Sequence, residues 1–150
     1  MPKTIISRSV QKTKKLAERL VKKLPGRIFA LNGELGSGKT TFARAFLRAL
    51  GVRGRIQSPT FLIIKPYTLS PASPTTAFHI DCYRIQKPKE LTDLGLTEIL
   101  ADRQNIVLIE WADKISSFLP RQTRWLYFAH GEKTNERSIK IGRRFRRLMS

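Results

Sequence analysis

The stretch Gly33-Glu34-Leu35-Gly36-Ser37-Gly38-Lys39-Thr40 decides how this chain is read. It matches G-x-x-x-x-G-K-[ST] at every fixed position, and its flanks supply the context that motif needs. Before it, Arg27 to Asn32 (RIFALN) is short, apolar and β-prone, which predicts a strand running directly into the glycines. After it, Phe42, Ala43, Phe46, Leu47 and Leu50 recur at helical spacing from Lys39 to Leu50, and Gly51 follows as a C-cap. Strand, glycine-rich turn and helix in that order make a phosphate-binding loop. Glycines let the backbone N–H groups face a phosphate, and the helix N-terminus adds partial positive charge. On this reading Lys39 reaches the β- and γ-phosphates of ATP, the Thr40 hydroxyl coordinates Mg²⁺, and Thr41 adds a phosphate hydrogen bond.

Working outward, Val10 to Leu24 carries a helical stripe (Val10, Leu16, Leu20, Val21, Leu24) that ends at Pro25 and Gly26. Phe61 to Tyr67 and Thr76 to Ile85 read as the strands of a hairpin around the Ser/Pro-rich turn 69–74. Leu91 to Ala101 reads as one short helix with Leu94, Ile99 and Leu100 inward. Asn105 to Glu110 (NIVLIE) has the continuous apolar character of a strand buried on both faces. Arg124 to Ala129 and Ser138 to Ile141 read as late edge strands. A P-loop needs an acid on a neighbouring strand to complete its metal site. Two carboxylates qualify: Glu110, ending the apolar run, and Asp81, inside HIDCYRI.

The expected architecture is therefore α/β. It is a single P-loop NTPase domain over residues 1–142, a three-layer sandwich with a mixed, largely parallel central sheet, followed by a basic tail at 143–150. A chain of 150 residues, 41% hydrophobic and 27% charged, has room for one core. Its single Cys82 excludes an internal disulfide, and with two His a Cys-rich zinc site is excluded as well. No apolar run reaches the ~20 residues of a membrane span, and the N-terminal stretch lacks a signal peptide's apolar core, so the expected location is the cytoplasm. The 29 Lys and Arg against 11 Asp and Glu give a net charge of +18, a field that attracts polyanions such as RNA, acidic proteins or anionic membranes, or is simply a solvated basic surface.

Taken in order, GELGSGKTTFARAFLRALG (33–51), SPTF (58–61), HIDCYRI (79–85), ELTDLGLTEIL (90–100) and IEWADKI (109–115) resemble the bacterial TsaE (YjeE) family. These are ATPases required for threonylcarbamoyladenosine modification of tRNA next to the anticodon. The resemblance implies phosphate contacts from Gly36 through Thr41, including Ser37, Gly38 and Lys39, within the loop opened by Gly33. It implies Mg²⁺ held by Thr40 and Glu110, with Asp81 near the metal or the attacking water. Ser58 and Thr60 would sense the γ-phosphate as a switch, Trp111 would lie close to the nucleotide, and the helix near Thr13 would help enclose adenine.

Hydrolysis also needs a water oriented for attack. Asp81 suits that role, with His79 or Thr60 as alternatives. The resemblance further implies a slow, partner-stimulated ATPase acting through the TsaB–TsaD complex, with ATP biasing an association equilibrium. The basic tail, in which Phe145 lies among arginines, is expected to assist tRNA contact. Two other readings share the loop: a small-molecule or nucleoside kinase, and an RNA-binding module with a secondary nucleotide site.

Overall fold

The computed structural model describes residues 3–57, 63–69, 72 and 75–142. Seven strands form one sheet in the order β1-β7-β6-β2-β5-β4-β3. They are β1 (Lys3–Ser7), β2 (Ile28–Gly33), β3 (Ile64–Thr68), β4 (Thr76–Asp81), β5 (Asn105–Glu110), β6 (Arg124–His130) and β7 (Arg137–Gly142). The four central strands β6, β2, β5 and β4 run parallel, and antiparallel strands flank them on both sides.

Helices α1 (Val10–Lys23) and α2 (Lys39–Leu50) cover one face. Helices α3 (Lys89–Asp93) and α4 (Leu96–Ala101), with a 3₁₀ segment at Ala112–Phe118, cover the other. The three-layer architecture with a mixed sheet is thus as expected. The parallel centre explains why NIVLIE has no polar alternation: a strand covered on both faces has no side facing water.

Local chemistry sets the helix limits. Ser9 caps α1 by accepting from the Lys12 N–H at 3.1 Å. Helix α2 ends at Gly51, whose φ of 110° lets the Val52 N–H reach back to the Leu47 carbonyl at 3.1 Å. On the α1/α2 face, Phe29, Phe42, Phe46 and Phe128 are buried, with Phe29–Phe46 centroids 4.8 Å apart.

Three expectations are corrected. Strands β6 and β7 are not edges: β6 pairs with β2 inside the sheet, and β7 is covered by β1, a strand whose mostly exposed KTIIS carries too little periodicity to announce itself. The strand expected over Thr76–Ile85 stops at Asp81, because the Asp81 carboxylate accepts the Tyr83 N–H at 2.9 Å and turns the chain. Leu91–Ala101 is two helices, broken where Gly95 takes φ 95°. The break turns Leu94 outward to 52% exposure, while Leu91, Leu96 and Leu100 face the core. The expected basic tail and the SPTF segment, Thr60 included, lie outside the described residues.

Candidate functional site

Strand β2 delivers the chain to the C-terminal edge of the parallel strands, and there the loop 33–38 wraps the start of α2. Gly33 lies so close to β6 that a Cβ would stand 2.2 Å from the Phe128 carbonyl oxygen. Gly38 takes the left-handed region, φ 99°, immediately before the helix. These two glycines press the loop onto the sheet and point the first turn of α2 into a cavity of about 550 Å³.

The cavity is lined by Gly36, Gly38, Lys39, Thr40 and Thr41 from the loop and helix, and by Asp81, Glu110 and Trp111 from the neighbouring strand ends. It therefore gathers residues from separate parts of the chain that had been singled out for one chemistry. Asp81 and Glu110 are register partners at the ends of β4 and β5. The Thr40 hydroxyl donates to Glu110 Oε1 at 3.0 Å, which ties the first turn of α2 to the end of β5. Gly33 and Ser37 stand behind the cavity wall: Gly33 packs on β6, and the fully buried Ser37 hydroxyl is 3.4 Å from Lys39 Nζ.

Lys39 is only 4% exposed. Its ammonium donates to the Gly33 carbonyl and, at 2.8 Å, to the Glu34 carbonyl, and lies 4.2 Å from the centroid of the Trp111 ring. Burial lowers its pKa from the ordinary lysine value, opposed by the nearby carboxylates, Glu110 first. Burial likewise raises the pKa of Asp81, opposed by its bond from the Tyr83 N–H. Trp111 holds a left-handed backbone, φ 56°, an uncommon state for a residue with a Cβ. Its ring packs on Tyr83 with centroids 5.1 Å apart, and Tyr83 also lines the cavity.

His79, one of the alternatives for orienting water, stands behind this wall with no exposure and does not line the cavity. Its Nε2–H donates to Glu110 Oε2 at 2.7 Å, so Glu110 is gripped from two sides, by Thr40 and by His79. Its Nδ1 has no partner in the described structure. Asp81 remains the carboxylate beside Glu110 that opens to the cavity.

Thr13 also lines the cavity, but its hydroxyl is committed to Ser7 at 2.7 Å, so it builds the wall with its body. Three further lining residues had no place in the sequence reading, Ser9 just before α1, Asn135 just before β7 and Arg137 at its start, and Val10, expected in the apolar stripe of α1, lines the cavity instead at 60% exposure. The Asn135 amide donates to the Arg8 carbonyl at 3.1 Å, and the Arg137 guanidinium to the Thr134 and Glu136 carbonyls at 2.8 Å. No local pattern marks them. Asn135 and Arg137 meet the loop because β7 folds back on β6, which pairs in parallel with β2, and the pairing of β1 with β7 brings Ser9 and Val10 to the same rim.

The chain matches the family described as Threonylcarbamoyl adenosine biosynthesis protein TsaE over residues 7–139. It is 42% identical over 113 residues to a tRNA threonylcarbamoyladenosine biosynthesis protein TsaE from Rickettsia conorii, covering 74% of this chain and 62% of the relative. A protein of the same name from Bacillus subtilis is 41% identical over 98 residues, covering 65% and 58%. The matches thus span less than two thirds of these relatives' length. In structure the chain is similar to the crystal structure of YdiB from Bacillus subtilis, with a TM-score of 0.74 and 30% identity over 94% of this chain and 84% of that one.

Proposed function

Given that this chain belongs to the TsaE family of threonylcarbamoyladenosine biosynthesis proteins, we propose that it binds and slowly hydrolyses Mg-ATP in support of that tRNA modification, acting through a TsaB–TsaD complex. The observation that carries the nucleotide reading is the hydrogen bond from Thr40 to Glu110. It joins the loop that would hold phosphate to the acid that would hold metal, beside a buried lysine.

The donor set suits Mg²⁺: a hydroxyl, Glu110 and the adjacent Asp81 are all hard oxygen ligands at a cavity wall. Thr40 and Glu110 would hold the ion, with Asp81 in reach of it or of the attacking water; when bound, Mg²⁺ supplies charge to neutralise the β- and γ-phosphates. The chain's own residues do the rest. Backbone N–H groups of the loop and the first turn of α2 bind phosphate oxygens. Lys39, now held on two carbonyls, turns to the γ-phosphate and adds its charge. Trp111 closes the wall beside it, and Thr13 with Val10 shapes the end of the cavity where a base would rest. A triphosphate that recruits Lys39 away from Trp111 alters the strand ends on which a partner could dock, which is how occupancy would bias assembly.

The test is calorimetry with ATP on Lys39→Ala and Glu110→Gln beside the unaltered protein, followed by hydrolysis assays across Mg²⁺ concentrations. Lys39→Ala is expected to lose about 100-fold or more in ATP affinity. Glu110→Gln is expected to keep nucleotide binding while losing Mg²⁺-dependent turnover. Unaltered affinity and turnover in both variants would overturn the site.

A further inference from the structure

Positive charge is unevenly divided between the two helical layers. Helix α1 carries six Lys and Arg, α2 two besides the buried Lys39, and the loop from Gly51 to Gln57 two more; against these stands one acid, Glu18. On the opposite face, α3, α4 and the 3₁₀ segment, with residues 84–88 and 102–104 beside them, hold five bases against five acids. The excess therefore has a side.

That side also has a shape. A groove of about 550 Å³, separate from the nucleotide cavity, runs between α1 and α2. Lys14, Glu18 and Lys22 recur every four residues along one bank, a stripe of about 12 Å at the helical rise. Arg44 and Arg48 stand on the other, with small Ala45 and Ala49 beside them. Arg48 is spent on the rim, donating to the Val52 and Gly54 carbonyls at 2.9 and 2.7 Å. Lys14, Lys22 and Arg44 are exposed and, among the described residues, make no hydrogen bond or ion pair, so their charge is unspent.

We propose that this groove docks the sugar–phosphate backbone of a folded RNA. The proposal rests on the tRNA reading above for the class of polyanion, and adds where the chain would hold it. A protein partner would call for an apolar or aromatic anchor at the centre. Among the described residues this groove offers Ile56 alone as a large apolar side chain, and the large exposed hydrophobics, Ile6, Val10, Leu35, Tyr83, Leu94 and Phe118, all lie elsewhere. Cations without rings or amides to read base edges give contacts to phosphate, hence positioning without sequence choice. Thr13 faces the nucleotide cavity and its neighbour Lys14 faces the groove, so one helix serves both sites.

The experiment measures binding of the full chain to unmodified tRNA, and to an unrelated folded RNA of equal length, by fluorescence anisotropy across salt concentrations. It compares the triple variant Lys14→Glu/Lys22→Glu/Arg44→Glu with a reversal of equal size on the other face, Lys87→Glu/Lys89→Glu/Arg103→Glu. Both RNAs are expected to bind alike. The groove variant is expected to lose on the order of 100-fold at ~0.1 M salt, with its log–log salt slope reduced by about 2 to 3; the opposite-face variant stays within about three-fold. Lys14→Gln/Lys22→Gln, with a thermal unfolding midpoint matched to the parent, gives a smaller loss in the same direction and excludes misfolding.

Equal losses in both triple variants, or no RNA binding by the parent, would overturn the proposal. So would anionic phosphatidylglycerol vesicles or poly-glutamate depending on the groove residues when RNA does not. ATP affinity measured on the same samples separates the two readings: if it persists while RNA binding fails, only the groove is wrong. If Lys39→Ala keeps ATP affinity while the RNA pattern holds, only the nucleotide site is wrong.

Discussion

Gly33 carries no side chain, and the loop's seat on the sheet depends on that. A methyl group there would meet the Phe128 carbonyl oxygen at 2.2 Å, and because a Cβ is fixed by its own backbone and the carbonyl belongs to the sheet, neither can swing away. Gly33→Ala is therefore expected to cost about 2 kcal/mol or more, read as a lowered urea midpoint, and to weaken ATP binding by displacing the loop. Cys82 makes a different demand. It is fully buried, and burial pushes its thiol up to about 12 from an ordinary 9.0. The folded chain thus keeps this proton over a range in which the unfolded chain releases it. Stability from this group is whole below pH 9 and falls as pH rises from about 9 towards 12. Unfolding curves across that window should flatten in Cys82→Ala, and a thiol reagent at neutral pH should label Cys82 only after unfolding.

Among the elements, β1 does more than its exposed sequence suggests. It covers the edge of β7 and supplies Ser7, whose hydroxyl meets Thr13 inside the wall of the nucleotide cavity. Removing residues 1–7 should lower the thermal midpoint by several degrees and weaken ATP binding, whereas replacing Lys3 and Thr4 alone should do neither. The same strand marks where sequence reading stopped. The loop, α2 and β5 were legible to the residue, because a motif with fixed glycines and a doubly covered apolar run leave strong local traces. Glu110 could be named beside them as the acid that ends the apolar run, with Asp81 as a second candidate, whereas Trp111 was named only through the family resemblance. Strand β1 left no such trace, so β7 read as an edge; β6 read as one because its parallel partner β2 lies far off in the chain, and that pairing is what carries Asn135 and Arg137 to the loop. Their position depends on which strands pair, and pairing between distant segments is not written in the periodicity of either. Gly95 is the intermediate case: visible as a glycine, yet its left-handed turn, which rotates Leu94 to the surface, becomes evident only once both helices pack.

At the scale of the whole molecule, the sheet separates two layers with different tasks. One is buttress, near balance in charge. The other combines the glycine loop with a basic groove, so that among the described helices the positive excess lies on one side. The pairing of β1 with β7 has a further consequence during synthesis. Strand β1 must wait for β7, its partner from the far end of the described residues, and Asn135 and Arg137 arrive on the same segment as β7. A ribosome-held chain still lacking β7 would already carry its complete glycine loop and yet have one side of its pocket missing. Nucleotide could then reward only a chain that has added β7, drawing that pairing toward completion by mass action.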